Sequence, residues 1–176
     1  MLSKVREMMQ VLPAHMAAVV RFACITGLRP TEVCESVRLL TCPGPRRPIS
    51  YYNPEQQCLE HFRFPDIFLR TTKKAYISYI TKESLSGIGI SDCLSPTPTL
   101  NAITHACSRR RIPCSMHLTR KIFASWLHKS GIPDITIDML QGRVPKSVLA
   151  QHYVRPDATL RQRVLDAVSQ LEKEIK

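Results

Sequence analysis

The 176 residues predict a mainly α protein with a small antiparallel β-sheet, an α+β fold. Most segments space their apolar residues at helical intervals, as Val5, Met8, Met9 and Leu12 do. Only the stretch from Gln57 to Ile80 alternates apolar with polar side chains in the manner of short strands. The length suits one domain, residues 1–176, long enough to bury a real core. No apolar run approaches the roughly 18 residues of a membrane span. Lys4, Arg6 and Glu7 interrupt the first apolar residues, so no secretory pattern opens the chain and an intracellular protein is expected.

In order, a first helix over residues 3–12 ends at Pro13, and a largely buried second helix follows from Ala14 to Ile25. Thr26-Gly27 breaks that pattern. Pro30 then opens a third helix, with Thr31 and Glu32 beside it, so Arg29 is expected at a helix N-terminus. There, free N–H groups and the macrodipole favour an anion, and a guanidinium adds a bidentate clamp. The plainer reading is a surface arginine paired with Glu32 or another acid.

Residues 42–53 are Pro-rich and without period, a loop. Gln57–Phe64 and Ile67–Ile80 give two or three strands, Phe68 among their apolar positions, with Arg70, Thr71, Thr72, Lys73 and Lys74 at the turn between them. Such a basic tip either reaches a DNA groove or is a solvated turn. Residues 81–99 read as a loop with one short helical stretch, 82–86. Thr99 caps a helix through Arg109, and the arginines at 109, 110 and 111 suit its C-terminal dipole as well as a phosphate.

Ser115 is placed as the N-cap of a helix that ends at Lys129-Ser130-Gly131. His117 and Arg120, three apart, share its first turn, from which both can point at one anion. A short helix from Pro133-Asp134 ends at Gln141-Gly142-Arg143, and Pro145 opens another that leads to His152-Tyr153. Asp157 caps a last helix whose stripe of Leu160, Val164, Val168, Leu171 and Ile175 must cover either its own domain or a neighbouring subunit. No internal repeat is visible.

A net charge of +11 and a pI near 9.6 point to a polyanionic partner, nucleic acid before a membrane surface. The seven cysteines are odd in number and contain no CxxC pair, which argues against a zinc site or a disulfide framework. They read mostly as buried thiols, with a Cys107–Cys114 bridge left open.

The ordered set Arg29, Lys73, His117-x-x-Arg120, Arg143 and Tyr153 resembles the catalytic domain of the tyrosine recombinases, the integrase family. TGLRPTEV looks like the family's first arginine box, HLTRKIFASWLHKSGI like its His-x-x-Arg box and HYVRP like its tyrosine box. Each box alone is weak; the ordered set covers most of the chain. Common members carry Leu-Gly-His before the tyrosine, where this chain reads Leu140-Gln141-Gly142-Arg143. An arginine there is similar to integrases of archaeal spindle-shaped viruses and related integrative elements.

The resemblance implies a site-specific recombinase that cuts and rejoins double-stranded DNA at an attachment site, integrating or excising a viral or plasmid element. It implies a homo-tetramer on DNA, a monomer or weak oligomer without it, no membrane, no metal and no cofactor, in the cytoplasm of a host cell. The family's N-terminal DNA-clamping domain has no counterpart in this stretch. Metal-free phosphodiester cleavage needs a nucleophile, charge stabilisation of the phosphorane and a proton for the leaving 5′-oxygen. In the resemblance Tyr153 would attack to give a 3′-phosphotyrosine. Arg29 and Arg120 would clamp the non-bridging oxygens with Arg143 as third donor, Arg155 being its rival. His117 would take or return the tyrosine proton, and Lys73, or Lys74 on the opposite strand face, would protonate the leaving oxygen.

Two other readings compete. A type IB topoisomerase-like enzyme shares the tyrosine attack, and the amphipathic last helix favours the recombinase, whose family docks subunits through this element. A basic DNA-binding module would use Gly131-Ile132-Pro133 as a helix-turn-helix turn without catalysis.

Overall fold

Proline and glycine punctuate the helices where the sequence places them. In the computed structural model, which describes residues 1–41, 51–70, 73–86, 98–143 and 157–176, α1 spans Leu2–Val11 and α2 spans Ala14–Thr26. Gly27 stops α2 in the left-handed region (φ +64°), its N–H bonded to the Ala23 carbonyl at 3.1 Å. α3 runs Pro30–Thr41 with its proline at the first helical position, where no N–H is missed.

The strands differ from expectation. β1 (Tyr52–Asn53) lies where the Pro-rich loop was expected, and pairs antiparallel with β2 (Cys58–Glu60). β2 pairs in turn with β5 (Ile77–Tyr79), giving the sheet order β1-β2-β5. Between them, His61–Arg63 forms a 3-10 turn, and Pro65 opens the helical turn α4, Pro65–Phe68, so Phe68 leaves the strand pattern to enter the core. A second hairpin, β3 (Leu69–Arg70) with β4 (Lys73–Lys74), carries the basic tip; Thr71 and Thr72 lie outside the described residues.

α5 spans Lys82–Ser86 and α6 spans Leu100–Arg109, the latter capped by Thr99, whose side chain accepts from Ala102 N at 3.2 Å. α7 runs Met116–Lys129 and α8 Asp134–Leu140. Ser115 stands at the N-cap of α7 without a side-chain capping bond. The helix expected after Pro145 lies outside the described residues. α9, Ala158–Ile175, begins at Asp157, whose carboxylate accepts from Leu160 N at 2.7 Å, a cap worth about 1 kcal/mol.

The apolar stripe of α9 is buried against α1, α2, α7 and β5 of its own chain. Val164, Val168, Leu171 and Ile175 are fully buried, and at about 1.5–3 kcal/mol for each large apolar side chain this face is a main source of stability. Trp126 Nε1 on α7 donates to the Ala167 carbonyl at 2.9 Å and fixes the helix crossing. The sequence left the stripe open between its own domain and a partner; its own domain takes it. The helix therefore gives no reason to prefer a recombinase over a topoisomerase. Among the described residues no helix is long and apolar enough to cross a membrane.

One buried polar chain runs beneath the sheet. Ser36 Oγ and Tyr51 OH are 2.6 Å apart, Tyr51 OH and His61 Nδ1 2.9 Å, and His61 Nε2 and Ser78 Oγ 2.8 Å. Burial pushes the His61 imidazole down to about 3, so it stays neutral in the folded state. The unfolded chain takes up that proton near 6.5 while the folded chain does not. Stability is thus expected to fall as pH drops below about 6.5, by about 1.4 kcal/mol per pH unit from this group. Denaturant titrations between about pH 6.5 and 5 should show the slope in the wild type, and His61→Gln should flatten it; an unchanged slope would refute a neutral buried His61.

Candidate functional site

Three arginines from distant parts of the chain converge on the turn after α8. Arg29 sits just ahead of α3, where Glu32 reaches back as in half of a capping box: Arg29 N donates to Glu32 Oε2 at 3.0 Å. The Arg29 guanidinium pairs with Glu32 Oε1 at 2.5 Å, and its Nη2 donates to the Gly142 carbonyl at 3.3 Å. Glu32 is almost wholly buried, its side chain 1% exposed, and a buried carboxylate needs such a partner. The plain reading, a pairing with Glu32, therefore holds, yet the pair is part of the convergence and not a surface contact.

Arg120 projects from the first turns of α7 as a strut between two loops. Its Nη1 donates to the Gly27 carbonyl at 2.7 Å and its Nη2 to the Gln141 carbonyl at 3.0 Å. Gln141 answers by donating from Nε2 to the Arg120 carbonyl at 2.8 Å, while its Oε1 is buried with no hydrogen-bond partner among the described residues. Burial, and then the charges of Arg29 and Arg143, pull the Arg120 guanidinium down to about 10 against the opposing pull of Glu32. It remains charged at neutral pH.

Arg143 ends the turn. Its N–H donates to the Asp138 carbonyl at 2.8 Å and its Nη1 pairs with Asp138 Oδ1 at 2.9 Å, with more than half of the side chain exposed. The turn is held against the basic hairpin because Lys74 N donates to the Gly142 carbonyl at 3.1 Å. Gly142 O thus accepts from both Lys74 and Arg29. Lys74 has an exposed side chain and its backbone belongs to this wall; the Lys73 side chain lies outside the described part. Strand alternation puts the two lysines on opposite faces of β4.

His117 shares the first turn of α7 with Arg120 but meets different surroundings. It is exposed and lines a cleft of about 440 Å3 together with Lys4, Ser115 and Lys121. Among the described residues no hydrogen bond or ion pair joins it to the arginines, so the expected shared aim of His117 and Arg120 is not seen. Tyr153 and Arg155 lie outside the described residues.

Among the described residues three guanidinium groups face two carboxylates here, Glu32 and Asp138, an excess of one positive charge in that set. Planar forks already half-desolvated suit bidentate contact with the oxygens of a phosphate or carboxylate. Among the described residues no group of three or more His, Cys, Asp or Glu is placed to hold a metal ion. The thiols at 24, 34, 58, 107 and 114 are free, and burial raises the Cys107 thiol to about 12 with help from Cys114 beside it.

Sequence reasoning gave Glu32 no part in the site beyond a possible ion pair, and missed Asp138 and Gln141. Glu32 had a usable signal, an acid at the third helical position after an N-cap. The other two combine a side-chain contact, the Asp138 carboxylate to Arg143 and the Gln141 amide to the Arg120 carbonyl, with their own backbone carbonyls around a turn, and nothing in their spacing from the arginines announced those contacts. No known family model, curated protein or solved structure matches the chain.

Proposed function

We propose that the chain is the catalytic domain of a tyrosine-type site-specific DNA recombinase, with a fold of that family, acting through a 3′-phosphotyrosine intermediate to integrate or excise a mobile element. The observation that carries this reading is the meeting of Arg29, Arg120 and Arg143 at one turn closed by the Lys73-Lys74 hairpin. A solvated arginine has no need of a partly buried position beside two others, whereas a phosphodiester passing through a pentacoordinate state gains from several fixed donors at once.

In this mechanism the phosphate takes the open side of the arginine cluster. Arg29 and Arg120, held by Glu32 and by the two loop carbonyls, present donors to the non-bridging oxygens without reorganising. Arg143 exchanges Asp138 for a phosphate oxygen, which its exposure permits. His117 accepts the Tyr153 phenol proton, the phenolate oxygen attacks phosphorus, and the bond to the 5′-oxygen breaks as that oxygen takes a proton from Lys73 or Lys74. A tetramer on DNA belongs to the same reading, and the net charge of +11 supports its nucleic-acid partner.

The non-catalytic module is disfavoured by α8. As the second helix of a helix-turn-helix it would lay Asp134 and Asp138, and no cation, along phosphates. The topoisomerase reading shares every step up to the covalent adduct. Incubation with a suicide duplex, whose cleaved end diffuses away, is expected to trap a covalent protein–DNA adduct that Tyr153→Phe abolishes. Failure of the wild type to form any adduct on suicide or supercoiled DNA would sink both enzyme readings, and strand joining between two duplexes separates recombinase from topoisomerase.

A further inference from the structure

Along the chain from the hairpin that meets the Gly142 turn, the surface exposes two aromatic rings. Phe62 is 44% exposed and Tyr76 is 47% exposed, the only large hydrophobics besides Met1 left open among the described residues. Their backbones adjoin, since Phe62 N donates to the Tyr76 carbonyl at 3.1 Å. Arg63 lies with its guanidinium carbon 5.6 Å from the Phe62 ring centroid, a cation–π geometry. Arg63 also bonds Glu60, which accepts from Asn53 at 2.8 Å, so the nearest acid is already matched.

Size decides what this patch can hold. A large aromatic side chain offers about 150–250 Å2, so the open halves of both rings amount to roughly 200 Å2. A stable protein interface needs about 800 Å2 from each partner. The rings are too small for that but ample for one or two stacked bases. Aromatic faces among cations, here Arg63 and the exposed Lys74, are what single-stranded nucleic acid uses, bases on rings and phosphates on charges.

Position supports the same occupant. Tyr76 follows two residues after Lys74, whose N–H is bonded to the Gly142 carbonyl that also holds Arg29. Two residues of chain span at most about 7 Å, which keeps the Tyr76 backbone close to the hairpin that holds Gly142. We propose that Phe62 and Tyr76, flanked by Arg63 and Lys74, form a stacking platform for unpaired nucleobases next to the phosphate bound by Arg29 and Arg120. The inference rests on the phosphate reading of that cluster. A strand that has been cut must leave its old complement before it joins a new one, and a base held on the platform would be kept out of the parent duplex during that exchange.

The test compares two single-stranded probes of equal length, a thymidine oligonucleotide and its fully abasic phosphodiester analogue, by fluorescence anisotropy at low salt. The wild type is expected to bind the base-bearing strand about tenfold to a hundredfold more tightly than the abasic one. Phe62→Leu combined with Tyr76→Leu should remove that preference and leave abasic binding unchanged. Arg120→Ala, measured at a temperature where circular dichroism shows it folded, should weaken both probes equally, which reads the phosphate site apart from the platform. Equal binding of the two probes by the wild type overturns the platform while leaving the phosphate reading intact. Abasic binding that ignores Arg120→Ala overturns the phosphate reading, and with it the platform's placement. A wild type that self-associates in sedimentation, with a monomeric double variant, would make the rings a contact between copies and overturn the proposal.

Discussion

Arg120→Ala is expected to lose both stability and cleavage, for separable reasons. The guanidinium ties the Gly27 carbonyl at the end of α2 to the Gln141 carbonyl at the end of α8. Charged hydrogen bonds contribute about 1.5–3 kcal/mol each, and the lower figure suits a half-buried group, so the alanine variant should lose about 3 kcal/mol in denaturant titrations. Removal of one fixed donor from a developing oxyanion slows catalysis on the order of 10²–10³-fold, and adduct formation on the suicide duplex should fall by that much under conditions where the variant is fully folded. Arg120→Lys separates the two effects. An ammonium can reach one carbonyl but cannot bridge both while presenting a fork, so it should regain part of the stability and little of the rate. If Arg120→Ala unfolds with the wild-type midpoint, the strut is refuted. If it cleaves within threefold of wild type, Arg120 is not a clamp.

The helices were legible in the sequence because their starts and stops are chemical. Pro13, Gly27, Pro30, Thr99, Gly131 and Asp157 each act through a local bond or a fixed dihedral, and the observed ends fall within a residue or two of them. The sheet was less legible. Tyr52–Asn53 is only two residues long, too short to show a period, and gains its strand geometry from pairing with Leu59 and Cys58. Phe68 fitted an alternating pattern, but Pro65 opens a helical turn that carries the ring onto Tyr51 and His61. Long-range packing won over the local pattern there.

The site divides in the same way. Arg29 was readable because it stands at a helix start and Arg120 because it lies one turn into α7, and both helices, α3 and α7, pack on α2. The Gly142 carbonyl that joins Arg29 to the hairpin was not readable, because every residue carries a carbonyl and only the fold selects one. His117 shows the limit of spacing arguments. Three residues along a helix put two side chains on one face, but Arg120 turns to the loops while His117 meets the cleft beside Lys4 and Lys121.

Gly142→Ala is expected to damage both the fold and the site with a single methyl. Gly142 holds φ +66°, where an alanine pays about 1–2 kcal/mol. An added Cβ would stand 2.6 Å from Ala75 N and 3.0 Å from both Ala75 Cα and Lys74 C, all backbone atoms that cannot rotate away. Forced overpacking adds about 1–3 kcal/mol, so the total loss should be about 3 kcal/mol, or roughly 6–12 °C in melting temperature for a chain of this size. The consequence reaches the chemistry, because relief of the clash moves the turn away from β4. The Gly142 carbonyl would then lose the Lys74 N–H at 3.1 Å and the Arg29 guanidinium at 3.3 Å together. Adduct formation should therefore drop even at temperatures where circular dichroism shows a folded variant. Gly142→Asn provides the discriminating control: asparagine tolerates the left-handed backbone but carries the same Cβ. If the asparagine variant is as impaired as the alanine variant, close approach of the hairpin sets the requirement for glycine. If it is restored, the dihedral alone sets it and the hairpin is not pressed against the turn.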